Sequence, residues 1–271
     1  MAHGAMRNRN PEVRRRNRER LENYANQFRA EVKEYVILNQ EGKLGSKTGG
    51  ITVVPDATLT DALRRLEVGQ LGPVNGYDPR VRDLHAPIFP TTNEVFTPEF
   101  LSDINEVVSS NGITRYVGVC GGGNQHLVLL NNLNPRPKDI ILVDFDLSQL
   151  LNFMVLVGKA IKAESTGDLQ SVLRDHGRGW YGSAFAKGVV QPFTINLGIE
   201  VKLQVDEIVA HIERIGEDGK YFIFLSNVMQ GTGNGYTGSK PLDAALENPH
   251  VLEGSVIVGM NYGGNPSYTV K

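Results

Sequence analysis

The sequence has a single cysteine, Cys120, and a single tryptophan, Trp180. One cysteine excludes an internal disulfide and a Cys-rich zinc site. Net charge is also scarce: 28 Lys and Arg against 30 Asp and Glu leave a formal charge of -2. Such a balance excludes a chain built as a whole to neutralise a polyanion. No apolar run approaches the ~20 residues that cross a bilayer. An apolar signal-peptide core after Met1 is likewise missing, since an Arg-rich polar stretch follows it. The expectation is a reduced, cytoplasmic compartment without a transmembrane segment. A His-x-x-x-His spacing does not occur, so no metal site is expected.

What is present suits a globular protein. Of 271 residues, 40% are apolar and 21% charged, enough for a substantial core. The expected division is 1–95, a basic helix followed by a loop-rich cover, and 96–271, the α/β domain. Arg7, Arg9, Arg14, Arg15, Arg16, Arg18, Arg20 and Arg29 crowd the start. From Pro11, Val13, Leu21, Tyr24 and Phe28 recur near helical spacing. This segment reads as an amphipathic helix packed on the domain or on a second copy, which makes it a candidate homodimer contact. It also reads as a basic arm for phosphate-bearing partners, but no stacking aromatics are interleaved, which argues against nucleic acid.

Between Gly42 and Asn93, turn pairs such as Gly49-Gly50 and Asn75-Gly76 predict loops. One helix is expected near Thr58, with Thr60 and Asp61 as capping candidates. Thr97, Pro98 and Glu99 then mark a helix start, and Asn111-Gly112 its end. From Ile113 onward apolar strands alternate with helices. Strand candidates are 113–119, 139–144, 199–205, 221–225 and 255–260, and helices begin near Gln125, Leu147, Asp206 and Leu242. That alternation predicts an α/β fold with a doubly wound, mostly parallel sheet.

The strand Tyr116–Cys120 runs directly into Gly121-Gly122-Gly123-Asn124-Gln125 and a helix from His126. Glycines at the carboxyl end of a strand allow a tight turn and close approach of a ligand to the backbone. The next strand ends in Asp144-Phe145-Asp146. Asp144 lies 21 positions after Gly123 (144 − 123), near the ~20-residue interval at which an acid meets ribose hydroxyls. The G-x-G-x-x-G spacing of dinucleotide folds fails, because His126 stands where the last glycine belongs. A nucleoside without pyrophosphate fits better.

Val119-Cys120-Gly121-Gly122-Gly123 with Asp144 resembles the first two motifs of the class I S-adenosylmethionine-dependent methyltransferases. Val119 stands where that family usually has an acid. Gly123-Asn124-Gln125 with Asp144-Phe145-Asp146-Leu147-Ser148-Gln149-Leu150 is also similar to the 3-amino-3-carboxypropyl transferases of betaine-lipid synthesis, with Asp146 in place of their Asn. The resemblance spans about residues 113–162 and, loosely, 221–227. It implies a Rossmann-like fold of methyltransferase type and S-adenosylmethionine as cofactor. It further implies a cofactor cradle of Cys120, Gly121, Gly122, Gly123, Asn124, Gln125, Asp144, Phe145, Asp146 and Gln149. Ser226 and Asn227, after the strand at 221–225, become candidates near the reacting centre. The implied activity is methyl transfer to a small-molecule acceptor, or aminocarboxypropyl transfer from the same cofactor. A nicotinamide-dependent oxidoreductase and a non-catalytic binding protein stay open as rivals.

Residue by residue, simpler roles compete. Asp146 is a candidate helix cap. Cys120 fits a small buried strand residue better than a nucleophile, and His126 a neutral structural role. The Asp175–Gly182 loop and the glycine-rich 231–238 loop are candidates for framing an acceptor pocket and for a lid. His85 and His211 read as structural.

Overall fold

The computed structural model describes residues 11–37, 50–67, 96–161, 171, 197–226, 240–260 and 266–271. The predicted loops at 175–182 and 231–238, together with His85 and Asn227, lie outside the described residues. Seven strands form one sheet: β1 (Ile51–Pro55), β2 (Arg115–Val119), β3 (Asp139–Asp144), β4 (Ile199–Val205), β5 (Tyr221–Ser226), β6 (Val256–Met260) and β7 (Pro266–Val270). Their order is β1-β4-β3-β2-β5-β6-β7. Every neighbouring pair is parallel except β6 and β7. The chain is thus an α/β protein with a mostly parallel sheet.

The central strands β2, β3, β5 and β6 read as near-continuous apolar runs because both faces are covered. Alternation assigns each residue to a face. Tyr116, Leu142, Phe222, Phe224 and Val258 point into one core. Val117, Val143, Ile223, Leu225 and Ile257 point into the other. The first core is closed by α1 (Pro11–Glu31), α2 (Ala57–Glu67), α3 (Pro98–Asn111), α4 (Asn124–Asn132) and α5 (Leu147–Ile161). The second is closed by α6 (Ile208–Glu213) and α7 (Lys240–Glu247). Each fully buried Leu or Phe side chain contributes about 1.5–3 kcal/mol relative to exposure, so the two cores dominate the stability of this layer.

Local signals explain the helix ends. Thr97 accepts from the Phe100 amide at 3.1 Å, and Gly112 terminates α3 in the left-handed region at φ 64°. Helix α2 is capped by Asp56, not by Thr60 or Asp61. The Asp56 carboxylate accepts from Leu59 N at 2.7 Å and from Val205 N at 2.8 Å. It therefore starts a helix and stitches it to β4 with one side chain, a double role no local pattern reveals. Glu207, one place after the expected start, caps α6 through Val209 N and Ala210 N.

Two strands go beyond the sequence expectations. β1 falls inside the region read as loop-rich cover, yet it pairs with β4 and shares the main core through Ile51. β7 is an exposed strand that, among the described residues, pairs with β6 alone. Residues 51–67 thus add a strand and a helix to the same sheet and core as residues from 96 onward.

Helix α1 forms as expected and continues into a π-helical segment, Val32–Ile37. Tyr24, Phe28, Val32 and Val36 are buried, so the later half of this apolar face is satisfied within the chain. The π-helical segment packs on α5. A Cβ on Gly158 would meet Tyr35 Cβ at 2.8 Å. Lys159 Nζ meets Glu31 Oε1 at 2.7 Å beside this contact. Glu12, Arg15, Arg16, Arg18, Glu19 and Arg20 of α1 are exposed, and Arg15 and Arg16 pair with Glu19 and Glu12 one turn away. No helix among the described residues is long and apolar enough to cross a membrane.

Candidate functional site

Leaving β1 aside, the sheet runs β4-β3-β2-β5-β6-β7. Counted from β2, that is third, second, first, fourth, fifth, sixth, the doubly wound order. The winding reverses between β2 and β5. Ligands of open α/β sheets bind outside the carboxyl ends of the strands at such a reversal. β2 ends there in Val119-Cys120-Gly121, and β5 ends there in Ser226.

The glycine turn has the conformation its composition suggests. Gly121 and Gly123 take φ of 47° and 82°, where a side chain is strained. Gly123 N donates to Cys120 O at 2.9 Å, closing the turn ahead of α4. A Cβ on Gly123 would also meet Phe153 of α5 at 3.1 Å. Gly122 is buried, whereas Gly121 is half-buried and reachable.

The end of β3 folds onto this turn. Gly121 N donates to Asp144 Oδ2 at 3.2 Å, and Asp146 N donates to Asp144 Oδ1 at 3.0 Å. Asp146 Oδ1 accepts from Ser148 N at 2.9 Å, so the residue caps α5. Gln149 Nε2 donates to Gly121 O at 2.6 Å, and Gln125 Nε2 donates to Cys120 O at 3.2 Å. The Cys120 thiol donates to Gln149 O at 3.6 Å. Phe145 is half-buried beside Asp144. The structure therefore brings together Cys120, Gly121, Gln125, Asp144, Asp146 and Gln149 through side-chain bonds, while Asn124 is buried at the start of α4.

Burial sets the electrostatics. Asp144 is 8% exposed and Asp146 3%. Burial, and secondarily the nearby Asp146, push the Asp144 carboxyl up to about 7, against three opposing backbone hydrogen bonds. Burial likewise raises the Cys120 thiol well above its ordinary range, with the two acids adding to it. A thiol held protonated is a poor nucleophile, which agrees with its expected packing role.

Ser226 ends β5 with φ 51°, the one non-glycine residue with positive φ among those described. The register against β6 shifts between Phe224 and Ser226. A strained, 6% exposed serine at the switch point is a feature that such sites concentrate.

Two participants were not singled out by sequence. Asp206, just past β4, donates its amide to Asp144 O at 3.1 Å. Tyr116 Oη lies 2.8 Å from His126 Nδ1, beneath the turn. Nothing in the ten-residue spacing signals that contact; a strand and the helix after it bring the two rings together. Among the described residues, no group of three or more His, Cys, Asp or Glu could hold a metal ion.

The fold and site define an α/β protein with a mostly parallel sheet compatible with a Rossmann-like arrangement, and with a glycine turn and a buried acid at its switch point. No protein-family model matches the chain, and no curated protein matches it.

Proposed function

We propose that this protein is an S-adenosylmethionine-dependent transferase that methylates a small-molecule acceptor. The observation that carries the reading is the bond from Gly121 N to Asp144 Oδ2 at the reversal between β2 and β5. The glycine turn and the acid lie side by side there, which supports reading the turn as a nucleoside cradle and the acid as a ribose acceptor.

The residues fit such a cofactor. A carboxylate has about four lone-pair sites, so the backbone amides on Asp144 leave acceptor capacity for ribose hydroxyls. Gln125 is 1% exposed, and its Oε1 has no hydrogen-bond partner among the described residues, an acceptor that a ligand donor would satisfy. When bound, the cofactor supplies a sulfonium centre already activated for group transfer. The chain's task is then to align the acceptor and exclude water. Gly121–Gly123, Asp144 and Phe145 hold the nucleoside, and Ser226 and Asn227 orient the reacting end.

A second reading, 3-amino-3-carboxypropyl transfer, draws on Gln149. Its amide grips Gly121 O, so the whole Asp144–Gln149 segment folds onto the turn.

Isothermal titration with adenosylmethionine tests the cofactor. Saturable binding is expected, weakened in Asp144→Asn while circular dichroism stays unchanged. No binding at millimolar ligand refutes the proposal. A thermal-shift comparison with NAD separates the oxidoreductase reading. Products separate the two transfers: adenosylhomocysteine follows methyl transfer, and methylthioadenosine follows aminocarboxypropyl transfer.

A further inference from the structure

The peptide between Val119 and Cys120 lies where β2 and β5 part. Pairing of β2 with β5 ends at Gly118 and Phe224, whereas pairing with β3 continues through Val119. Cys120 N donates to Val143 O of β3 at 2.9 Å. Across a trans peptide the carbonyl points the opposite way, so Val119 O faces the β5 side, beyond the last β2–β5 pair. A buried carbonyl there needs another donor.

His126 is that donor. Its Nε2 lies 2.8 Å from Val119 O and 3.2 Å from Cys120 O. Both partners only accept, so Nε2 carries the proton and Nδ1 is the acceptor. The Tyr116 hydroxyl then donates to Nδ1 at 2.8 Å. The tautomer is fixed from both sides. The ring is wholly buried. It stands edge-on to Phe224 with centroids 5.4 Å apart, and Tyr116 stacks on Phe222 at 5.1 Å. Gly118 makes room for it, since a Cβ there would meet His126 Cε1 at 2.7 Å. The imidazole reaches two successive carbonyls, the second of which also accepts from Gly123 N and Gln125 Nε2.

We propose that the buried Tyr116–His126 pair is a positioning device for the ligand site: by holding the Val119 and Cys120 carbonyls it sets the shape of the Gly121–Gly123 turn and so the affinity for a nucleoside ligand. The affinity half of this inference rests on the adenosylmethionine reading, and the turn-shape half does not.

The test uses the full chain with His126→Leu, His126→Gln and Tyr116→Phe. Two quantities are read: amide hydrogen exchange across 119–126 without ligand, and the Kd for adenosylhomocysteine by titration calorimetry. His126→Leu deletes the donor, so its turn amides exchange faster and Kd weakens on the order of tenfold, the scale of one buried hydrogen bond. His126→Gln restores a donor to the carbonyls, and both readouts return to within about threefold of the natural protein. Packing alone cannot explain such rescue. Tyr116→Phe, which removes only the hydroxyl that fixes Nδ1, falls between the two. The proposal is overturned if folded His126→Leu keeps natural exchange and Kd, or if His126→Gln is as impaired as His126→Leu. Should the leucine variant fail to fold, natural exchange and affinity in Tyr116→Phe overturn it. Absence of binding to the unmodified protein defeats the transferase reading, and the exchange data still decide the turn-shape claim.

Discussion

Gly121 and Asp144 meet through a 3.2 Å bond from the glycine amide to the carboxylate, although 23 residues separate them. Adjacent parallel strands β2 and β3 end side by side, and the turn closes the gap. Four consequences of this arrangement and its surroundings can be measured.

The first concerns the Asp144 carboxyl. In the folded state it holds its proton up to about pH 7. In the unfolded chain an aspartate loses it near pH 4. Between those values the native state binds more protons, so this group's contribution to stability falls as pH rises and levels off above about 7. Asp144→Asn removes that slope. Denaturant unfolding at pH 5 and pH 8 is expected to show a larger loss toward pH 8 in the natural protein than in the variant. An equal or larger loss in the variant contradicts the buried-acid account.

His126 has the opposite sign. Burial lowers its pKa to about 4 despite its carbonyl partners. The unfolded chain protonates the same ring near 6.5. Its stabilising contribution is therefore complete above about 6.5 and is lost as pH falls toward 4. His126→Gln is expected to lose less stability between pH 7 and pH 4.5 than the natural protein. Direct NMR titration of the ring checks the same point, with a neutral Nε2–H tautomer persisting at pH 5.

A third expectation lies away from the site. Gly158 lets α5 approach the π-helical segment at Tyr35 Cβ, an atom fixed to the backbone. Gly158→Val forces the two apart at a cost of about 1–3 kcal/mol. Thermal unfolding should register that loss. Limited proteolysis should cut within 11–37 faster than in the natural protein, because Phe28, Val32 and Val36 lose their seat.

Ser226 supplies a test in which stability and activity separate. A non-glycine residue at φ 51° carries a backbone cost of about 1 kcal/mol that glycine would not. Ser226→Gly is expected to melt at the same or a higher temperature, while turnover in the proposed group transfer falls. Full turnover in this variant removes the side chain from the proposed reaction centre.

Much of this was readable in the chain because it is local. The ends of α3 follow from Thr97, Pro98 and Gly112, whose capping needs only neighbours. The span of β3, the start of α5 at Leu147 and the cap by Asp146 follow from an apolar run meeting polar breakers. β1 was missed because a five-residue edge strand among turn-forming pairs has too short a pattern to stand out, and its pairing with β4 spans almost 150 positions. The cap of α2 was misplaced for a related reason: Asp56 is held by a strand far along the sequence.

By itself, then, the sequence determined the alternation of strands and helices, the glycine turn and the acid that follows it. Periodicity, glycine's access to positive φ and helix capping are properties of neighbouring residues. Only the tertiary structure decided the strand order, the place where the winding reverses, and the depth at which Asp144 and His126 are buried. Those depend on which strands pair and what covers them. The displaced pKa values, the strain at Ser226 and the grip of Tyr116 and His126 on the turn arise from that assembly.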